Sequence, residues 1–425
     1  MKLLSDLPTP SKLGEPDEWN KQQRKRPFCL NHRPTQASST VPVSLYCPTI
    51  FGKFQECCHE KDPEYEDNLF TYNFCCKMAE FYQTEESRRD VANKMLSTYL
   101  GHAVTPLQLP GNRSTDGTIC AFTPHAYREL NIEAKNECCQ SLTCPYLENC
   151  GYYLNICKEY QDIPSHLPCF LVTIAGPSFS VSGAVLADVA IVEPLTPTYP
   201  LLWLINNDMM VTLSKTFHAL KMSLQDLDKY YNELDHSSPP TIRRLYPLFP
   251  HVVVNNEFFS IQVEFQLGTY LLWRVTLVGE KGSQFAAYVK AVRKQQYSLD
   301  MHQFLAESGY APKIFATSES GGWFFVYMEC LDNHLMLHHV TAELHDKQEQ
   351  KSLIAQIKKV IEHLHNSEYV HGDLREGNIL VCQLSDHEKF DIKLIDFEWS
   401  GKVGSAHYPH FMNHASIEWS DGVGD

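Results

Sequence analysis

"HGDLREGNIL", residues 371–380, follows a long amphipathic stretch and precedes "KLIDFEW", residues 393–399. Asp373 lies five residues before Asn378, and Asp396 eighteen after it. The first segment runs from a loop into the β-type run "NILVCQL"; the second is a strand that ends on an acid. A carboxylate, an amide and a second carboxylate at loop and strand ends make a candidate magnesium site, because Mg2+ takes hard oxygen donors. Upstream, Lys290 ends the strand "FAAYVK", where an ammonium can reach phosphate oxygens. Taken singly, a loop aspartate usually caps a helix and a strand-end lysine is usually solvated. As an ordered set they match what γ-phosphoryl transfer needs: metal ligands, a cation on the phosphates and a carboxylate near the attacking hydroxyl.

These two motifs resemble the catalytic and metal-binding loops of the protein-kinase-like superfamily. The HGD form is closer to its aminoglycoside and choline phosphotransferase branch. More narrowly, "YVKAVRKQ…HQFLAESGYAPKIF…GGWFFVYMECL…HGDLREGNILV…LIDFEWSGK" resembles a kinase-like domain found in fungal proteins, over about residues 258–425. The resemblance implies a phosphotransferase that uses ATP and Mg2+ on a hydroxyl acceptor, a protein Ser or Thr first. It implies Lys290 on the phosphates, Asp373 as catalytic aspartate, Arg375 near the γ-phosphate, and Asn378 and Asp396 as magnesium ligands. Gly268 falls in the phosphate loop, and Met328 and Glu329 on the hinge that hydrogen-bonds adenine.

Departures from that pattern bring in a second class of function, an ATP-binding scaffold without turnover. "EFQLGTYLLWRV" carries one glycine, Gly268, where kinases have several, which makes a poorer cradle of backbone N–H groups. The helix position that should hold a glutamate for Lys290 is His302, with Asp300 or Glu307 as possible substitutes. "DFE" stands where kinases have DFG, removing a flexible glycine. Only 29 residues follow Asp396, which predicts a reduced helical C-lobe.

The N-terminal half holds another constellation. In "STDGTICAFTPHAYRELNIEAKNE", Asp116 precedes an apparent strand ending in Glu133 and Lys135. Two carboxylates and a lysine at adjoining strand ends can hold a divalent ion and activate water for phosphodiester cleavage. The solvated strand edge carries equal weight, since charged triplets there are common. The pattern resembles the restriction-endonuclease-like family, with Glu80, Glu85 or Glu86 on the preceding helix as its first acid, and "PYLENCGYYLNICKEY" as its following helix. A nuclease-like module ahead of a kinase-like one also resembles crinkler-type architectures, an analogy of order alone.

The expected class is α+β: a disordered arm over 1–43, an α/β domain over 44–235, a Pro/Ser-rich linker over 236–250 and the kinase-like domain over 251–425. Within the α/β domain, "NLFTYNFCCKMAEFYQTEESRRDVANKMLSTYL" reads as helix, and "CFLVTIAGPSFSVSGAVLADVAIVEPL" as two β-runs broken at Gly-Pro and Ser-Gly. A net charge of -15 argues against general duplex-DNA binding and leaves nucleic acid to a local channel in the N-terminal domain. No signal-peptide core or membrane-length apolar run is present, so the expected setting is intracellular, cytoplasmic or nuclear, without a membrane partner. "KQQRKRP" is an import-signal candidate, although a solvated basic tail explains it as well. Thirteen of the 15 cysteines precede residue 170, three times as adjacent pairs. Without CxxC spacing or paired histidines, buried reduced thiols are favoured over zinc.

Overall fold

Every side chain of the strand Arg128–Lys135 except the last is buried, although four of the eight are Arg, Glu, Asn and Glu. A strand covered on both faces must be central and must satisfy its polar groups internally. Asn131 does so through Asn149 and Thr118, and Arg128 through Glu159 at 2.5 Å. The computed structural model describes residues 6–109, 113–138, 142–204, 207–234, 244–385 and 389–409. They form two compact units, Met1–Leu248 with Ser320–Gly322, and Phe249–Glu319 with Trp323 onward.

In the first unit a mixed sheet runs in the spatial order Cys29–Leu30, Ala190–Pro194, Ser178–Leu186, Cys169–Ala175, Arg128–Lys135, Gly117–Cys120. Gly117–Cys120 pairs antiparallel with Arg128–Lys135, which pairs in parallel with Cys169–Ala175. The helix Pro145–Glu159 makes that parallel crossover, and its buried Cys150, Tyr153 and Cys157 pack in one apolar cluster with Cys169.

Several expectations change here. The segment expected as one strand ending in "IEAK" is two, and the hairpin returns Asp116 to Glu133, because Gly117 pairs with Ile132. The helical stretch divides into Tyr65–Met78 and Glu85–Leu100, the second starting where Thr84 caps the Ser87 amide. The two β-runs are three strands. Ser182-Gly183 lies inside Ser178–Leu186 and is no turn; a Cβ at Gly183 would meet Leu195, Phe51 and Val43 at 3.1 Å. The described part of the 1–43 arm is ordered, with the helices Pro10–Leu13 and Pro16–Lys25. Its Pro- and Lys/Arg-rich composition suggested disorder, but Leu13, Trp19 and Phe28 are buried in the same cluster as the crossover helix. Gln23, inside "KQQRKRP", is buried and bonds Cys29 and Phe28, so that segment is no free tail. Residues 236–243 of the linker lie outside the described residues, and Arg244 is anchored on the Ser165 carbonyl at 2.8 Å. The five cysteines closest together in sequence, Cys138, Cys139, Cys144, Cys150 and Cys157, are the ones to weigh as zinc ligands. Cys150 and Cys157 are buried thiols, Cys144 is partly buried and Cys138 exposed, while Cys139 lies outside the described residues.

The second unit begins with a sheet in the order Val252–Val254, Glu257–Gln266, Leu272–Gly279, Gln284–Arg293, Trp323–Met328, Ile314–Ser320. Leu272–Gly279 alternates half-buried and buried residues, with Trp273, Val275 and Leu277 inside. The helix Leu299–Glu307 follows the Lys290 strand. The long helix expected over "ELHDKQEQKSLIAQIKKVIEHLHNSEY", residues 343–369, runs from Lys347, where Asp346 caps Gln348, to Asn366, and a separate short helix, Leu337–Glu343, precedes it. A small sheet of Leu335–Met336, Ile379–Gln383 and Phe390–Leu394 shares a core with both helices.

Candidate functional site

Lys290 stands on Gln284–Arg293 directly opposite Leu272. That register brings the hairpin tip holding Gly268 beside it, and the Leu271 carbonyl accepts from Ala291. Gly268 has φ +53, the left-handed conformation glycine adopts without Cβ strain. Lys290 Nζ lies 2.6 Å from Asp396 Oδ1 and 2.7 Å from Glu398 Oε1. Burial pulls the Lys290 pKa down, but the two carboxylates more than offset it and hold the ammonium charged.

Asp396 has φ +70, an uncommon conformation for a residue with a Cβ, of the kind that persists at functional loops. Two bonds from Ile395 fix it: the Ile395 carbonyl accepts from His371 Nε2 at 3.0 Å, and the Ile395 N–H donates to the Asn378 carbonyl at 3.1 Å. Burial depresses the His371 pKa, so a neutral imidazole makes that bond. Asn378 donates from Nδ2 to the Asp373 carbonyl at 2.9 Å and to Asp373 Oδ2 at 2.7 Å. Its Oδ1 is thereby the atom suited to a cation. Arg375 Nε donates to Asp373 Oδ2 at 3.1 Å. Asp373 Oδ1 is buried without a hydrogen bond; Arg375 Nε sits 3.0 Å away but misaligned. Lys290, Asp396, Asn378, Asp373 and Arg375 are therefore linked through one continuous set of contacts.

The protein kinase domain model matches residues 288–416, which contain all five. The C-terminal domain is kinase-like. No curated protein matches the chain.

Met328 ends its strand buried, and the Glu329 N–H donates to Lys313 O at 2.9 Å while its carboxylate accepts from Lys313 N. The Glu329 amide is thus committed within the protein. The substitutes expected for the missing helix glutamate do not act as such: Asp300 and Glu307 are exposed, and Lys290 pairs with Asp396 and Glu398 instead. Glu398 was missed by sequence reasoning. Its signal was an acid where DFG has glycine, two residues past Asp396, in a chain lacking the helix glutamate.

In the first unit the hairpin gathers Asp116, Glu133 and Lys135. Lys135 Nζ is 2.6 Å from Glu133 Oε1, 3.2 Å from Glu148 Oε2 and 3.6 Å from Glu85 Oε1. Of the three candidate acids, Glu85 is the one that reaches the cluster: Glu80 lies between the two helices and not on one, and pairs with Lys77, while Glu86 pairs with Arg89. Glu148, in the first turn of the crossover helix, was also missed; its signal is an acid where that helix faces back toward the strand ends. Asp116 Oδ2 accepts from the Ala134 amide at 2.8 Å, which fixes its carboxylate at the strand end. Burial pushes the Asp116 pKa up to about 6, and burial with Asp116 and Glu148 nearby pushes Glu133 up as well. Among the described residues no three His, Cys, Asp or Glu side chains form a ready metal cage; Lys135 pairs with Glu133, Glu148 and Glu85, and Arg89 lies 3.9 Å from Asp116. No described helix is long and apolar enough to cross a membrane.

Proposed function

We propose that the kinase-like domain binds ATP with Mg2+ and transfers the γ-phosphoryl group to a hydroxyl, with a protein Ser or Thr as the first acceptor to try. The observation that carries this reading is the one set of contacts that joins Lys290, Asp396, Asn378, Asp373 and Arg375. Arg375 Nε stands 3.0 Å from Asp373 Oδ1, and a substrate hydroxyl would have to take this place to donate to that oxygen. Asp373 would take or orient that proton, with Asn378 fixing its other oxygen. Lys290 and Arg375 would neutralise phosphate charge. Asn378 Oδ1 and the Asp396 carboxylate suit Mg2+, which is typically held by one or two protein oxygens plus nucleotide phosphates. When bound, the ion supplies charge neutralisation on the β- and γ-phosphates.

Equilibrium binding of radiolabelled ATP to the full chain, with and without Mg2+, tests this. Saturable Mg2+-dependent binding is expected in the parent and a loss of at least about tenfold in Asp396→Ala, the equivalent of about 1.4 kcal/mol. Equal binding by parent and variant would remove Asp396 from the site.

A second reading concerns the first unit: metal-dependent phosphodiester cleavage through Asp116, Glu133 and Lys135. It is supported by the crowding of Glu133, Glu148 and Glu85 around the Lys135 ammonium, with Asp116 held at the adjoining strand end and the pKa values of Asp116 and Glu133 raised. Linear DNA with Mn2+ is expected to be cut by the parent and at least about a hundredfold more slowly by Glu133→Ala. Cleavage unchanged in that variant ends the reading.

The same cluster sets a pH signature. Because Asp116 binds its proton more tightly folded than unfolded, its contribution to stability falls as pH rises from about 4 to about 6. Stabilisation by Mn2+ should grow over the same interval as the carboxylate becomes free. A Mn2+-induced rise in Tm that is flat between pH 4.5 and 7 would exclude Asp116 as a ligand.

A further inference from the structure

Protein kinases hold the phosphate-binding lysine with a glutamate on the helix after its strand, and activation depends on moving that helix. Here the helix Leu299–Glu307 turns His302 into the interior, fully buried. Both its ring nitrogens are used: Nδ1 accepts from Tyr297 Oη at 2.7 Å and Nε2 donates to Pro312 O at 2.9 Å. Burial lowers its pKa to about 4, so the ring is neutral and has no group left for an ammonium. What His302 does instead is pack: its ring stacks on Phe397 at 4.5 Å with planes 20° apart. Phe397 is buried and sits between Asp396 and Glu398 in sequence, so anchoring it fixes the backbone that carries both carboxylates.

We propose that Glu398 is the positioning residue for Lys290, replacing the helix glutamate with a carboxylate on the metal loop itself. The assignment rests on the nucleotide-site reading above. The geometry gives Lys290 two carboxylates, at 2.6 and 2.7 Å. Only one of them can be its permanent partner if Asp396 is to turn to Mg2+ when nucleotide binds. Glu398 keeps the ammonium paired through that exchange, whereas a glycine at the same position would leave a buried cation with nothing to hold it. A regulatory consequence follows. The direct partner of the lysine is on the metal loop and not on the helix, so displacing Leu299–Glu307 would reach Lys290 only through Phe397 and the backbone that carries Glu398.

Two measurements on the full chain test the assignment. The first is competitive isotopic acetylation of Lys290 near pH 8 without nucleotide, read by mass spectrometry against Lys393. Glu398→Gln removes a charge that favours the ammonium, so the Lys290 labelling rate should rise about threefold to tenfold, tenfold being one pKa unit. Asp300→Asn and Glu307→Gln should leave it unchanged. The second is Mg·ATP affinity, which Glu398→Gln should weaken by about tenfold in the parent but not in a Lys290→Ala background. A general structural defect would add to the Lys290→Ala loss, whereas a residue acting through Lys290 would not. Unchanged labelling in Glu398→Gln, with ATP bound normally by the parent, overturns the Glu398 assignment alone. A parent that binds no ATP overturns the nucleotide-site reading and this inference with it.

Discussion

Asp373→Asn is expected to slow phosphoryl transfer by about 10²–10⁴-fold while leaving Mg·ATP affinity nearly unchanged. The variant keeps the shape of the side chain. Its amide oxygen can still accept from Asn378 Nδ2, the contact that measures 2.7 Å at Oδ2, so Asn378 stays oriented. At the Oδ1 position an NH2 group replaces the unbonded oxygen, and it can neither take a proton nor accept from a hydroxyl. The loss corresponds to about 2.7–5.5 kcal/mol of transition-state stabilisation. The assay is transfer of radiolabel from ATP to generic protein acceptors, and to the chain itself. Equal rates in parent and variant would place the chemistry elsewhere. A parent that binds ATP but transfers nothing would favour the scaffold reading over the enzyme.

How much of this was legible before the structure depended on the range of the interactions involved. The catalytic segment was readable because its spacing is local: Asp373 and Asn378 share one loop, and five residues are enough to bring the amide to the carboxylate. Lys290 and Asp396 are 106 residues apart, and only the resemblance could pair them. Glu398 was hidden by the same resemblance, because attention to the missing helix glutamate led to Asp300 and Glu307 on that helix, whereas the replacement came from a different element. In the first unit Asp116 and Glu133 were named as a pair on a mistaken strand. A single extended strand from 117 to 135 would hold them tens of ångströms apart at about 3.3 Å per residue, and the hairpin is what joins them. The N-terminal arm failed for a compositional reason: averaging over many Pro, Lys and Arg residues hid the few apolar side chains, Leu13, Trp19 and Phe28, that decide whether it packs. Gly183 is the converse, a turn signal whose actual use is close packing inside a strand.

Gly372→Ala is expected to destabilise the kinase-like domain by about 2–5 kcal/mol, which pairs the cost of left-handed backbone with that of overpacking. Gly372 has φ +77, and a Cβ there would fall inside contact distance of the Trp399 carbonyl oxygen and 3.0 Å from its carbonyl carbon. Neither neighbour is a side chain that can swing away. The approach is held on both sides: Ser400 Oγ donates to the His371 carbonyl at 2.8 Å, and Tyr369–Val370 pairs antiparallel with Gly401–Lys402. Adding a methyl group must therefore pull apart the loop carrying Asp373 and the segment leaving the metal loop, which are the two pieces the site needs together. For a domain of this size the shift in Tm is about 5–15 °C, readable by calorimetry on the full chain. Gly377→Ala is the control, because nothing lies within 4 Å of its Cβ position and a change there should stay within about 0.5 kcal/mol. The glycine of the HGD form is thus a steric requirement of this backbone approach. If Gly372→Ala melts with the parent, the catalytic and metal loops do not meet at Trp399, and the contact set from Lys290 to Asp373 loses one of its supports.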